Sequence, residues 1–215
     1  MSAGRRVRAV VFDCDGTLMD THPCVERALR TLLARRQRPY DSSVHTRITG
    51  LAVPDQAALL ADLLGEPADT IAGELLTALT DAVPQLARSL PGALELLRST
   101  AARLPVAIAS NSDRALLRAT LAHGRMTGLA QVTIAADEVP APKPAPDLYL
   151  AACAALDVSP KDALAVEDSP TGARAALAAG MPVLGVGPGL YAGQVHWWVP
   201  DLTGIHPDSA PFAGH

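Results

Sequence analysis

The 215-residue sequence is poor in lysine, aromatic residues and cysteine, and it has no long apolar run. Lysine occurs only at Lys143 and Lys161 among 18 basic residues, so it is not surface filler here. The cysteines, Cys14, Cys24 and Cys153, show neither metal-ligand nor redox spacing. Such a sparse, odd set excludes a disulfide scaffold and reads as reduced thiols in a cytoplasmic protein. No stretch approaches the roughly 20 apolar residues that cross a bilayer. The apolar run after the basic start meets Asp13 too early for a signal peptide. A cytoplasmic protein with no membrane partner is expected. The formal net charge of -4 argues against nucleic acid as the main partner.

Apolar residues are plentiful instead, at 49% against 19% charged. That balance predicts a packed globular protein, and a chain of this length buries roughly 70% of its unfolded surface. Val7 to Phe12 reads as a buried strand. From Asp20 to Ala87 the leucines recur at helical spacing, with breaks expected near 50–54, 65–67 and at Pro84. After Pro91, helices and short apolar strands alternate, with strands expected at 106–109, 132–135, 163–166 and 183–186. This pattern predicts a parallel sheet covered on both faces, with ligands at the carboxyl ends of its strands. The Pro-, Asp- and Gly-rich tail after Trp198 reads as a loose end. Arg35, Arg36 and Arg38 read as a solvated face at a helix end.

Chemistry-bearing residues cluster after the expected strands. Asp13 and Asp15 follow the first one, and alternate residues of an extended segment point to one side. Two carboxylates there suit a hard cation, although an Asp-Gly turn is the plainer alternative. Ser110 and Asn111 follow the strand 106–109 and suit either a phosphate at a helix start or an N-cap. Lys143 stands between prolines in a stiff loop, a setting for neutralising phosphate. Glu167 and Asp168 follow the strand 163–166 and suggest a metal, with an N-cap as the alternative.

These clusters match, in order and spacing, four motifs: Asp13-x-Asp15-Gly16-Thr17-Leu18, Ser110, Lys143-Pro144-x-Pro146-Asp147, and Glu167-Asp168-Ser169 with Gly172 and Gly180. The chain resembles the haloacid dehalogenase-like hydrolases, in particular the subgroup of β-phosphoglucomutases and sugar phosphatases. The resemblance implies a Rossmann-like α/β core, residues 1–18 and 86–215, with an inserted α-helical cap, residues 19–85. It implies a phosphatase acting on small phosphorylated metabolites with Mg2+ as cofactor. Asp13 would be the nucleophile and Asp15 the general acid and base. Asp13, the Asp15 carbonyl, Asp168 and Glu167 would hold the metal, and Ser110, Asn111 and Lys143 the phosphate. His22 and Arg47 are the candidate substrate contacts in the cap.

Asp15 argues against dehalogenase chemistry, and the absence of lysine before Lys143 against a phosphonatase. A mutase remains the alternative, but Val53 stands where those enzymes carry an arginine for a second phosphate. A non-catalytic phosphometabolite-binding module is the second alternative, against which the intact motifs stand.

Overall fold

The computed structural model describes residues 7–190 and 192–212; the ends of the expected core, 1–6 and 213–215, lie outside the described residues. Strand β1 (Ala9–Phe12) leads to the short β2 (Met19–Asp20) and then to four helices, α1 (His22–Arg35), α2 (Ser42–Ile48), α3 (Val53–Leu64) and α4 (Ala68–Leu86). The chain returns through β3 (Arg88–Ser89), which pairs antiparallel with β2. There follow α5 (Ala93–Ala101), β4 (Val106–Ala109), α6 (Arg114–His123), β5 (Val132–Ile134), α7 (Asp147–Ala155), β6 (Ala163–Glu167), α8 (Pro170–Ala178), β7 (Val183–Val186) and β8 (Trp197–Val199). The main sheet is parallel, in the order β5-β4-β1-β6-β7-β8.

The central strands are apolar throughout because both faces are covered. Val10, Phe12, Val106, Ile108, Leu164 and Val166 face one core cluster, which extends into the helical insertion. Ala9, Val11, Ala107, Ala109, Ala163 and Ala165 face the other, shared with α7 and α8. Small residues on that face let those helices approach closely.

Register positions the site. Phe12 lies opposite both Ile108 and Val166. One residue further along, Asp13, Ala109 and Glu167 form a row across the carboxyl ends of β1, β4 and β6.

Helix α4 runs through Pro84 to Leu86 rather than breaking there. Proline removes one hydrogen bond, and so near the end of the helix little of the ladder is lost. Arg36 is not a solvated charge. Its Nε and Nη2 reach Glu66 at 2.7 and 2.6 Å, and its Nη1 reaches Glu74 at 3.0 Å, tying α1 to α4 and the turn before it. The tail is not loose either. Trp197 and Trp198 lie in β8, and Leu202 and Phe212 are buried in the main core cluster. Sparse apolar residues among Pro and Gly suffice to pin a segment without periodicity.

Candidate active site

Lys143 reaches the row at the strand ends from the loop before α7. Its Nζ donates to Asp13 Oδ1 at 2.6 Å, to Ala109 O at 2.9 Å and to Glu167 Oε1 at 2.7 Å. The ammonium thus spends its three donors on three adjacent strands. Tyr149, on α7, donates its hydroxyl to the same Glu167 Oε1 at 2.5 Å, and Lys143 Nζ lies 5.1 Å from the centre of its ring. Ser169 Oγ approaches Glu167 Oε2 at 3.3 Å and accepts from Gly172 N at 3.0 Å, capping α8.

Asp13 Oδ2 is buried and has no hydrogen-bond partner. Burial pushes the Asp13 carboxyl well above its ordinary range; Lys143 opposes the shift, while Glu167, Asp168 and Asp15 add to it. Asp168 is raised to about 7, by burial first and then by Glu167. For Lys143, burial works against the charge, but Asp13 and Glu167 outweigh it and hold the pKa above the usual ammonium range. One cation faces more carboxylates than it can neutralise.

Oxygens of Asp13, Glu167 and Asp168 lie within 4.8 Å of one another. Mutually repelling carboxyls with an orphaned oxygen fit a hard divalent cation. Two glycines make the room. A Cβ at Gly172 would overlap the Glu167 carboxylate, and one at Gly16 would overlap Asp168 Oδ2. Gly16 also has φ +95°, which a side chain would strain.

Asp15 stands in a different setting, ringed by hydroxyls. Thr21 Oγ1 donates to its Oδ1 at 3.0 Å, and Ser110 and Ser112 Oγ donate to its Oδ2 at 2.7 and 3.0 Å. Ser110 therefore engages Asp15 in this state. Asn111 donates through Nδ2 to Gly50 O at 3.0 Å and to Lys143 O at 3.2 Å, and its Oδ1 accepts from Lys143 N at 2.8 Å. Its amide joins two loops of the protein.

A cavity of about 220 Å³ opens over these groups, lined by Asp13, Asp15, Asn111, Lys143 and Asp168 on the sheet side. His22 lines it but is exposed, while Arg47 is exposed on α2 and is not among the lining residues. Ser112 belongs to the same loop cluster as Ser110 and Asn111 in the sequence; Tyr149 and Thr21 carry no motif signal. Tyr149 follows a helix-start proline and reads as an ordinary apolar-face residue. The hydroxyl of Ser112, which the sequence places with Ser110 as a possible phosphate contact, donates to Asp15 instead.

A family model for haloacid dehalogenase-like hydrolases matches residues 7–180. Validoxylamine A 7'-phosphate phosphatase from Streptomyces hygroscopicus subsp. limoneus is 33% identical over 183 residues, covering 83% of this chain and 85% of its own. Fructose-1-phosphate phosphatase YqaB from Escherichia coli is 30% identical, covering 84% of this chain and 97% of its own. The crystal structure of CbbY from Rhodobacter sphaeroides in complex with phosphate superposes with a TM-score of 0.79 at 24% identity, covering 92% of this chain and 96% of that one. That likeness extends the match in fold across the helical insertion as well as the sheet. With the acidic row, its lysine and these matches in place, the chain belongs to the haloacid dehalogenase-like hydrolases.

Proposed function

We propose that the protein is a Mg2+-dependent phosphatase that hydrolyses small phosphomonoesters, sugar phosphates among them, through an aspartyl-phosphate on Asp13. The observation that carries this is the Lys143 ammonium bridging Asp13 and Glu167 beneath an orphaned Asp13 oxygen. Two relatives are named as phosphatases, of validoxylamine A 7'-phosphate and of fructose 1-phosphate, which supports the reaction class.

Asp13 attacks phosphorus, forming a carboxyl–phosphate bond as the bond to the leaving oxygen breaks. Asp15 gives that oxygen a proton, so an alcohol departs. Water then attacks the phosphorus, Asp15 takes the water's proton, and Asp13 is released with inorganic phosphate. The hydroxyls of Thr21, Ser110 and Ser112 hold Asp15 in place. On substrate binding, Ser110 turns its hydroxyl from Asp15 toward a phosphate oxygen, beside the Asn111 loop.

Asp13 and Asp168, with the Asp15 carbonyl, would hold the ion, while Glu167 holds Lys143. The bound cation supplies charge neutralisation between carboxylates and phosphate. Lys143 keeps its charge at any working pH and offsets the remaining repulsion. The insertion, residues 19–85, acts as a cap over a core of residues 1–18 and 86–215, closing through the β2–β3 ribbon and excluding water.

The lining of the cavity contains no arginine among the described residues, which supports hydrolysis over the mutase alternative. Phosphate release from p-nitrophenyl phosphate with Mg2+, abolished by excess EDTA, is the expected result. Full release in EDTA contradicts the metal assignment.

A further inference from the structure

The next inference rests on the phosphatase reading and deepens it. Away from the acids, the cavity wall is apolar, built by Val25, Leu51, Val53, Leu79, Val83 and Leu116. Besides His22 and Thr49, two buried polar residues interrupt it. Gln56, on α3, is 4% exposed, and Thr120, on α6, is 1% exposed.

Gln56 Nε2 donates to Leu51 O at 2.7 Å. That carbonyl demands a donor, so the amide orientation is fixed and Oε1 faces away. Gln56 Oε1 has no hydrogen-bond partner, and neither has Thr120 Oγ1. Buried polar atoms without partners are destabilising and rare, and they mark places where something else supplies the bond. One residue belongs to the insertion and the other to the core, so a ligand that meets both bridges the two.

Charge narrows the ligand further. Lys143 is the only lysine or arginine among the described lining residues, and Asp13 and Glu167 already hold it. A second phosphate or a carboxylate on the organic part of the substrate would meet a largely apolar wall with no free lysine or arginine to pair with.

We propose that Gln56 and Thr120 form a specificity subsite for phosphomonoesters whose organic part is uncharged, hydroxyl-bearing and free of any second anionic group. A substrate hydroxyl donates to Gln56 Oε1, and a second one pairs with Thr120 Oγ1, while the carbon skeleton lies on the apolar wall.

The test compares kcat/KM for four phosphate esters with Mg2+: a hexitol monophosphate, hexyl phosphate, a hexitol bisphosphate and phosphoglycolate. The hexitol monophosphate is expected to lead, by roughly tenfold or more over both esters that carry a second anion. Thr120→Val keeps the side-chain shape, and Gln56→Leu removes the acceptor. Each is expected to lower the ratio of hexitol monophosphate to hexyl phosphate roughly 3- to 10-fold, the range of one neutral hydrogen bond. Thermal melting checks that both variants are folded, and the wild-type ranking does not depend on either. Equal or better turnover of the bisphosphate or phosphoglycolate overturns the proposal, as does an unchanged ratio in folded Thr120→Val. Absence of phosphate release from all four esters and from p-nitrophenyl phosphate overturns the phosphatase reading beneath it as well.

Discussion

Asn111 Nδ2 donates to the carbonyl of Gly50 at 3.0 Å, while its Oδ1 accepts from Lys143 N at 2.8 Å. One side-chain amide therefore holds the α2–α3 loop of the insertion against the loop that carries the active-site lysine. In the proposed cap closure, this amide would join movement of the insertion to the placement of Lys143. Asn111→Ala removes hydrogen bonds worth about 1 kcal/mol each. We expect kcat/KM to fall roughly tenfold or more and the insertion to be cut faster in limited proteolysis. Unchanged kinetics together with an unchanged digestion pattern would contradict the coupling.

Tyr149 is fully buried, and its hydroxyl has the Glu167 carboxylate as partner. Tyr149→Phe strips one donor from a buried acceptor. A hydrogen bond to a charged group contributes about 1.5–3 kcal/mol, which in a domain of this size is roughly 3–12 °C in Tm. Because Glu167 also holds Lys143, kcat is expected to drop with the melting temperature. Calorimetry and steady-state kinetics on the variant check both. A melting temperature equal to that of the parent would show that the network is not holding the site.

The strands at the sheet centre and the four site clusters were legible because their signals are local. A short apolar run bounded by polar residues or proline marks a strand with both faces covered; Asp13 and Ser110 each follow one directly and Glu167 ends one. What escaped was nonlocal. Strands β2 and β3 are two residues long and exist only because Met19 and Ser89 meet across the insertion. Strand β8 carries the Trp197–Trp198 pair, whose apolar bulk reads equally well as loop packing. Arg36 looked solvated because Glu66 and Glu74 lie a helix and more away in sequence. Nothing local marks Tyr149, because its partner, Glu167, lies on β6 while Tyr149 lies on α7. The Asn111 side chain, assigned to phosphate on position alone, faces Gly50, a contact that only the folded insertion creates.

Asp168 carries a pKa raised from 3.8 to about 7, by burial and then by Glu167, and Asp13 moves in the same direction. In the metal-free protein the folded state keeps a proton that the unfolded chain releases above about pH 4. The stability this contributes is present below that pH and is lost as pH rises toward 7. A cation competes with the same proton, so Mg2+ should stabilise little at pH 5 and most above pH 7. At a hundredfold excess over Kd the gain is about 2.7 kcal/mol, or roughly 5–10 °C. Melting curves with Mg2+ and with EDTA across that range check it. Equal stabilisation at pH 5 and pH 8 would contradict the assignment of these carboxyls to the ion.

The most direct measurement is mass spectrometry of enzyme quenched in acid during turnover of a phosphomonoester. The wild-type protein is expected to carry one phosphoryl group on the peptide that contains Asp13, lost again as substrate runs out. Asp13→Asn should be folded, unlabelled and inactive. A phosphoryl group on any other residue, or wild-type phosphate release by Asp13→Asn, would contradict the account.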